Sequence, residues 1–177
     1  MLIRHALPAD ADAFAALAER LWRSTYTGLI PAPDLEAHLA EAFGPAPQGA
    51  ELADDARRTL LLEGGGELLG YALLHAHGPV PGSPAPTFAR PVEIERFYLD
   101  PTTHGTGAAR ELMEAALAEA AGAGHDGAWL QVWEQNARAR RFYVKAGFTP
   151  AGTTTFAVGT RVYHDLLLVH GLELPFD

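Results

Sequence analysis

Glu93-Ile94-Glu95-Arg96-Phe97-Tyr98-Leu99-Asp100-Pro101, followed across Thr102 and Thr103 by His104-Gly105-Thr106-Gly107-Ala108-Ala109-Arg110, is the stretch on which the fold turns. Val92 to Leu99 reads as a strand, and Ala108 to Ala121 as a helix with Leu112, Met113, Ala116, Leu117 and Ala120 on one side. Glycines that open a helix let backbone N–H groups crowd and point at one spot. The helix dipole adds positive potential there, so such a turn suits a phosphate or pyrophosphate. A P-loop would need Gly-Lys-Ser/Thr, which is missing. The dinucleotide fingerprint wants a third glycine where Arg110 stands and glycines directly after a strand, yet Asp100 to His104 intervene. An ordinary helix start with two turn glycines fits the turn equally well.

Upstream, Ile3 to Leu7 reads as a short strand, and Asp10 as the cap of a helix over about residues 11–24, with Phe14, Leu17 and Leu21 at helical spacing. A bend at Thr27-Gly28-Leu29-Ile30-Pro31 leads to a second helix presenting Leu35, Leu39 and Phe43. Gly44 to Gly49 is expected to break it, and Glu51 to Arg58 to resume it. Thr59–Glu63 and Leu68–His75 read as a hairpin across Gly64-Gly65-Gly66. Gly78 to Pro91, dense in proline, reads as a loop. Downstream, Ala128 to Glu134 is a strand with Trp129 and Trp133 on one face. Asn136 starts a short helix, Ala137 to Ala146, closed by Gly147 as Gly122 and Gly124 close the one before. Thr153–Val158 and Val162–Val169 then pair antiparallel across Gly159-Thr160. The order predicts one mixed α/β (α+β) domain over residues 1–177, not a βαβ array.

Composition bounds the function. A chain of 177 residues with 48% hydrophobic and 20% charged residues is an ordinary single domain. Without cysteine there is no disulfide, thiolate metal site or cysteine nucleophile. Acidic residues outnumber basic ones 22 to 13, for a net charge of −9. That balance argues against nucleic acid as a partner and is compatible with a cationic substrate. No apolar run reaches the roughly 20 residues that cross a bilayer, and the start lacks a secretory pattern, so a cytoplasmic protein without a membrane partner is expected. His75 and His77 make half a zinc site with no third ligand in view, so no metal is expected. Ser24 and Ser83 have no triad partners.

The turn gains meaning from what lies downstream. His104-Gly105-Thr106-Gly107-Ala108-Ala109 resembles the Gln/Arg-x-x-Gly-x-Gly/Ala turn of the Gcn5-related N-acetyltransferases, departing only at its first position. Trp129-Leu130-Gln131-Val132-Trp133-Glu134-Gln135-Asn136-Ala137-Arg138-Ala139 and Arg141-Phe142-Tyr143-Val144-Lys145-Ala146-Gly147-Phe148 resemble that family's strand, Asn-x-x-Ala helix and Phe-Tyr-x-x-x-Gly-Phe ending. The resemblance implies a mixed, strongly twisted central sheet of about six to seven strands flanked by helices. Val132-Trp133-Glu134-x-Asn136, Gly152-x-x-x-Phe156-x-x-Gly159, Asp165 and Thr25-Tyr26-Thr27-Gly28-Leu29-Ile30-Pro31 lean toward a bacterial branch that includes polyamine acetyltransferases.

It further implies acetyl-CoA as donor and a primary amine as acceptor, joined by direct attack in a ternary complex. The amine must be neutral to attack, whereas a free alkylamine, like lysine with its reference pKa of about 10.4, is mostly protonated. Glu95 stands where several members place a base; Glu93, on the same strand face, is the reserve. Either is otherwise a solvated or salt-bridged carboxylate. Tyr143 matches the usual general acid, since a phenol with pKa about 10 still holds its proton at neutral pH. The backbone of Phe97, Tyr98 and Leu99 is expected to offer an N–H to the oxyanion and to pair with the pantetheine arm as an added strand. Gly105, Thr106, Gly107, Ala108, Ala109 and Arg110 would cradle the pyrophosphate, and Asn136 would bond the pantetheine arm or cap its helix. Tyr26, with Trp22 beside it, walls the acceptor pocket or belongs to the core. Trp133 and Glu134 meet the substrate or a neighbouring subunit, the family's habit of dimerising admitting a homodimer. Two other functions remain open: acetylation of a protein N-terminus or lysine, and a non-catalytic acyl-CoA sensor.

Overall fold

The structure, a computed structural model, describes residues 1–76, 80–81, 88–158 and 161–173. His77, Ser83, most of the proline-dense segment and the Gly159-Thr160 turn lie outside the described residues. Among the described residues the chain runs β1 (Leu2–His5), α1 (Ala11–Tyr26), α2 (Ala32–Ala42), α3 (Pro45–Ala53), β2 (Arg57–Gly64), β3 (Glu67–His75), β4 (Pro91–Leu99), α4 (Ala108–Gly122), β5 (Gly127–Trp133), α5 (Ala137–Lys145), β6 (Thr149–Val158) and β7 (Arg161–Gly171). The strands form one seven-stranded sheet in the order β1-β2-β3-β4-β5-β7-β6. Every neighbouring pair is antiparallel except β4 with β5. This is the mixed, helix-flanked sheet that the sequence predicts.

Helices cover both faces, so the central strands alternate apolar residues to two cores. Leu60, Leu62, Ala72, Leu74, Val92 and Ile94 turn to the face where α4 lays down Leu112, Met113, Ala116 and Ala120, joined by Tyr143 and Phe148. Leu61, Tyr71 and Leu73 turn the other way, onto Phe14, Leu17, Leu21 and Trp22 of α1 and Leu35 and Leu39 of α2. Each large apolar side chain buried this way contributes about 1.5–3 kcal/mol of transfer free energy, which is why short helices hold here.

Five local expectations are corrected. β1 ends at His5 rather than Leu7. Asp10 makes no side-chain cap to α1; it ends a 3-10 turn (Pro8–Asp10), and its carboxylate accepts from Arg4 and from the Leu7 N–H at 2.7 Å. The break expected over Gly44 to Gly49 is confined to Phe43 and Gly44, because Pro45 already starts α3, where a first-turn residue needs no N–H donor. Arg57 and Arg58 accordingly leave the helical stretch and begin β2. Gly122 lies inside α4, whose left-handed terminator is Gly124 at φ +80°. Among the described residues no helix is long and apolar enough to cross a membrane.

Candidate active site

The parallel pair β4–β5 is hydrogen-bonded only from Pro91↔Gly127 to Glu93↔Trp129. Beyond Glu93, β5 stays with β7 as far as Trp133↔Asp165, and β4 stays with β3 as far as Leu99. The two strands therefore part and leave a wedge in the middle of the sheet. A bulge marks its cause: Leu74 opposes Ile94 and Leu73 opposes Arg96, so Glu95 is an extra residue on β4. Such an insertion bends its strand and raises its twist. It also shifts the alternation, since Ile94 and Phe97, three apart, both reach the α4-side core. Along the wedge, among the described residues, no strand pairs with the backbone groups of residues 94–99 that face β5, which leaves an open edge at Phe97, Tyr98 and Leu99.

The glycine turn sits at the end of β4. Asp100 holds it: its Oδ1 accepts from the Thr102 N–H (2.9 Å) and hydroxyl (2.7 Å), and Oδ2 accepts from Arg20. Those Thr102 bonds, with the Arg20 guanidinium added, hold the Asp100 carboxyl down at about 2. Gly105 (φ +78°) and Gly107 (φ +90°) take left-handed conformations that L side chains rarely adopt. A Cβ on Gly105 would meet nothing within 4 Å, and one on Gly107 only the Glu111 carboxylate at 3.8 Å. The turn is thus open outward, with the first amides of α4 lacking intrahelical acceptors. The Arg110 side chain points along the helix to Glu114 (2.9 Å), leaving its backbone as the part at the turn.

A cation that the sequence reading missed stands nearby. Arg138, the second residue of α5, reaches His104 Nδ1 at 3.1 Å. Burial and then the guanidinium push the His104 imidazole below its ordinary value, so the ring is a neutral acceptor. The signal is visible in sequence only as a histidine at one motif's odd position and an arginine inside the other motif. Asn136 caps α5, its Oδ1 accepting from the Ala139 N–H at 3.0 Å. Tyr143 is only 8% exposed, set among Phe97, Phe142 and Phe148 with ring centroids 5.4–6.3 Å away. Burial, assisted by Tyr26, pushes its phenol upward, keeping the proton on the oxygen at neutral pH.

The two glutamates have different surroundings. Glu93, 8% exposed, lies where the strands part, with Gln131 Nε2 at 3.5 Å. Glu95 faces His75 Nδ1 at 2.9 Å, Arg57 Nε at 3.5 Å and Arg96 at 3.8 Å. Arg96 in turn bonds Glu51 at 2.9 Å and lies over the Phe43 ring. Ser24 donates to the Leu21 carbonyl as an ordinary helix residue.

On the α1 side of the sheet a small open cleft is lined by Tyr26, Ile30, Trp133, Phe156, Val158, Tyr163 and Asp165. The structure thus brings Tyr26 and Trp133 together, while Trp22 packs into the core between Tyr26 and His38. Glu134 is exposed beside the cleft and absent from its lining. The Tyr26 hydroxyl approaches that of Tyr98 at 3.4 Å, and burial pushes both phenols up. Phe156, Tyr163 and Asp165 come from the β6–β7 hairpin, whose pairing across the sheet from Tyr26 no local pattern reveals.

Residues 15–148 match the acetyltransferase (GNAT) family. Uncharacterised N-acetyltransferases of Mycobacterium bovis and Mycobacterium tuberculosis are 38% identical over 164 residues, 92% of this chain and 98% of theirs. Among solved structures, the PaiA N-acetyltransferase of Thermoplasma acidophilum in complex with coenzyme A superposes with a TM-score of 0.77 at 20% identity, covering 96% of this chain and 98% of that one.

Proposed function

The chain belongs to the acetyltransferase (GNAT) family, and on that premise we propose that it transfers acetyl from acetyl-CoA to a primary amine by direct attack in a ternary complex. The observation that carries this is the wedge between β4 and β5, with an unpaired β4 edge, an open glycine turn at one end and a buried tyrosine beside it. All seven strands join one sheet, which is why residues 1–177 are taken as a single domain.

The residues fit the donor. Its pyrophosphate suits the turn from Gly105 to Arg110, where the Thr106 and Ala108 N–H groups already donate to Thr103 and Thr106 and the remaining amides are left for it. Arg138, held by His104, adds a positive charge there. Its pantetheine arm suits the free edge at Phe97 to Leu99, where one N–H also meets the developing oxyanion. Asn136 keeps its side-chain amide N–H for the arm while its oxygen caps α5. In the reaction the amine nitrogen bonds to the thioester carbon, the C–S bond breaks, the nitrogen loses a proton and the sulfur gains one. Glu95, through water, takes the first proton, with Glu93 at the fork as the reserve; Tyr143 supplies the second. The acceptor enters through the cleft walled by Tyr26 and Trp133, with Glu134 beside it. Those aromatic faces and the net charge of −9 favour a small cationic amine, a polyamine among them.

Free-thiol release from acetyl-CoA tests this against spermidine, spermine, aminoglycosides, amino acids and short peptides. Release with small amines is expected, and Tyr143→Phe should lower kcat by about 10–10³-fold with acetyl-CoA affinity kept. Unchanged turnover removes Tyr143 from the mechanism. Release with peptides alone points to a protein acceptor, and acetyl-CoA binding without release to a sensor.

A further inference from the structure

The cleft holds a carboxylate that the fold does not use. Asp165 is half-buried in its lining and, among the described residues, makes no hydrogen bond or ion pair with any lysine or arginine. Burial pushes its carboxyl up and the neighbouring Glu134 adds to this, with only His164 acting the other way. A half-buried carboxylate without a cation is costly, and a bound cation would remove that cost. Two more features point to the same ligand. Among the described residues the Tyr163 hydroxyl is buried without a partner although its residue lines the cleft, so it offers an acceptor for an N–H. The rings of Tyr26, Trp133 and Phe156 complete a wall whose faces attract an ammonium and shelter an alkyl stem.

Position decides which nitrogen belongs there. Tyr143 packs with the α4-side core, whereas Tyr163 and Tyr26 pack with the core on the opposite face. The Tyr26–Tyr98 hydroxyl pair stands between cleft and wedge. The attacking nitrogen has to shed its proton, and a carboxylate in direct contact with it, unlike Glu95 acting through water, would hold that proton on by Coulomb attraction. A nitrogen that keeps its charge throughout has no such conflict. We propose that Asp165 binds a second, non-reacting cationic nitrogen of the acceptor, with the Tyr163 hydroxyl as its other ligand, so that the enzyme selects amines carrying two positive charges. This rests on the acceptor reading given above.

The test is direct binding, followed through the fluorescence of Trp133 in the cleft wall. The full chain is titrated with α,ω-diaminoalkanes of three to five carbons and with the monoamines in which the far ammonium is replaced by methyl. The wild-type chain should bind at least one diamine about 10- to 100-fold more tightly than its monoamine, the range of one charged hydrogen bond. Asp165→Asn keeps the shape and loses no side-chain hydrogen bond or ion pair among the described residues, and should bring each pair within about twofold. A diamine preference that survives Asp165→Asn, or none in the wild type, overturns the proposal. Thiol release measured alongside separates the two readings. Binding with the expected preference but no release would refute acetyl transfer and leave the site; release without the preference would refute the site alone.

Discussion

Gly107 separates what the turn does for the fold from what it does for the donor. It caps α4 in a left-handed conformation at φ +90°, and Gly66, in the β2–β3 hairpin turn, has nearly the same φ of +85°. A methyl group at Gly66 meets nothing within 4 Å, and at Gly107 nothing but a carboxylate at 3.8 Å. Alanine at either site therefore costs only the left-handed conformation, about 1–2 kcal/mol. For a domain of this length that is about 2–8 °C in Tm. The two variants should melt alike. They should differ toward acetyl-CoA, because the Gly107 methyl projects from the turn whose amides are to meet the pyrophosphate. Losing one hydrogen bond to a charged group is worth about 1.5–3 kcal/mol, so KM for acetyl-CoA should rise about 10- to 100-fold in Gly107→Ala and stay within about twofold in Gly66→Ala. Thiol-release kinetics with differential scanning fluorimetry reads both quantities. Equal KM values in the two variants would falsify the cradle and leave the turn a helix start.

Arg138→Ala should raise KM for acetyl-CoA about 10-fold with kcat little changed, and the gap should narrow in 1 M salt, where the Debye length falls to about 3 Å. An unchanged KM would return His104 and Arg138 to the surface. Asp100 supplies a pH test: its folded pKa, about 2, lies below the unfolded value, so its stabilisation is present above the unfolded value and is lost as pH falls through the folded one. The urea midpoint of the wild type should drop as pH is lowered from about 4 to 2, and Asp100→Asn should show a shallower drop by up to one proton per molecule. Identical slopes would mean that the Thr102 and Arg20 contacts do not persist in solution.

The parts legible in the sequence are those whose signal is local. Leu112, Met113 and Ala116 announce α4 by spacing, and Gly64-Gly65-Gly66 announces a hairpin by composition. The misreadings are local rules overridden by neighbours. Asp10 has the chemistry of a cap, but Arg4 and the Leu7 N–H claim its carboxylate first. The Gly44–Gly49 stretch does end α2, but proline at the first helical position lets a new helix start at once, so the break is two residues long and not six. The candidate site divides the same way. Two motifs mark the turn and the Asn136–Tyr143 segment, while the contact between them, Arg138 to His104, spans 34 residues and is fixed only by the sheet order. The cleft is less legible still, because Tyr26 and Asp165 meet through β7 crossing between β5 and β6, and nothing local in either segment encodes that pairing.

One inserted residue ties these parts together. Were β4 regular, its pairing with β5 could continue past Glu93, the wedge would close, and the β4 edge would satisfy itself within the sheet. The Glu95 bulge prevents this, and the shift in alternation that it brings sends Phe97 to the α4–α5 side while Tyr98 joins the α1 side. Neighbouring residues of one strand thus serve opposite faces: Phe97 stacks on Phe142 beside Tyr143, and Tyr98 meets Tyr26 at the cleft. On the proposed reading, a donor lying along the α4–α5 side and an amine entering from the α1 side would be separated by the sheet everywhere except at the wedge. There a thioester and a nitrogen arriving from opposite faces could touch, and the unpaired backbone of β4 would be at hand for the carbonyl oxygen that must take up charge.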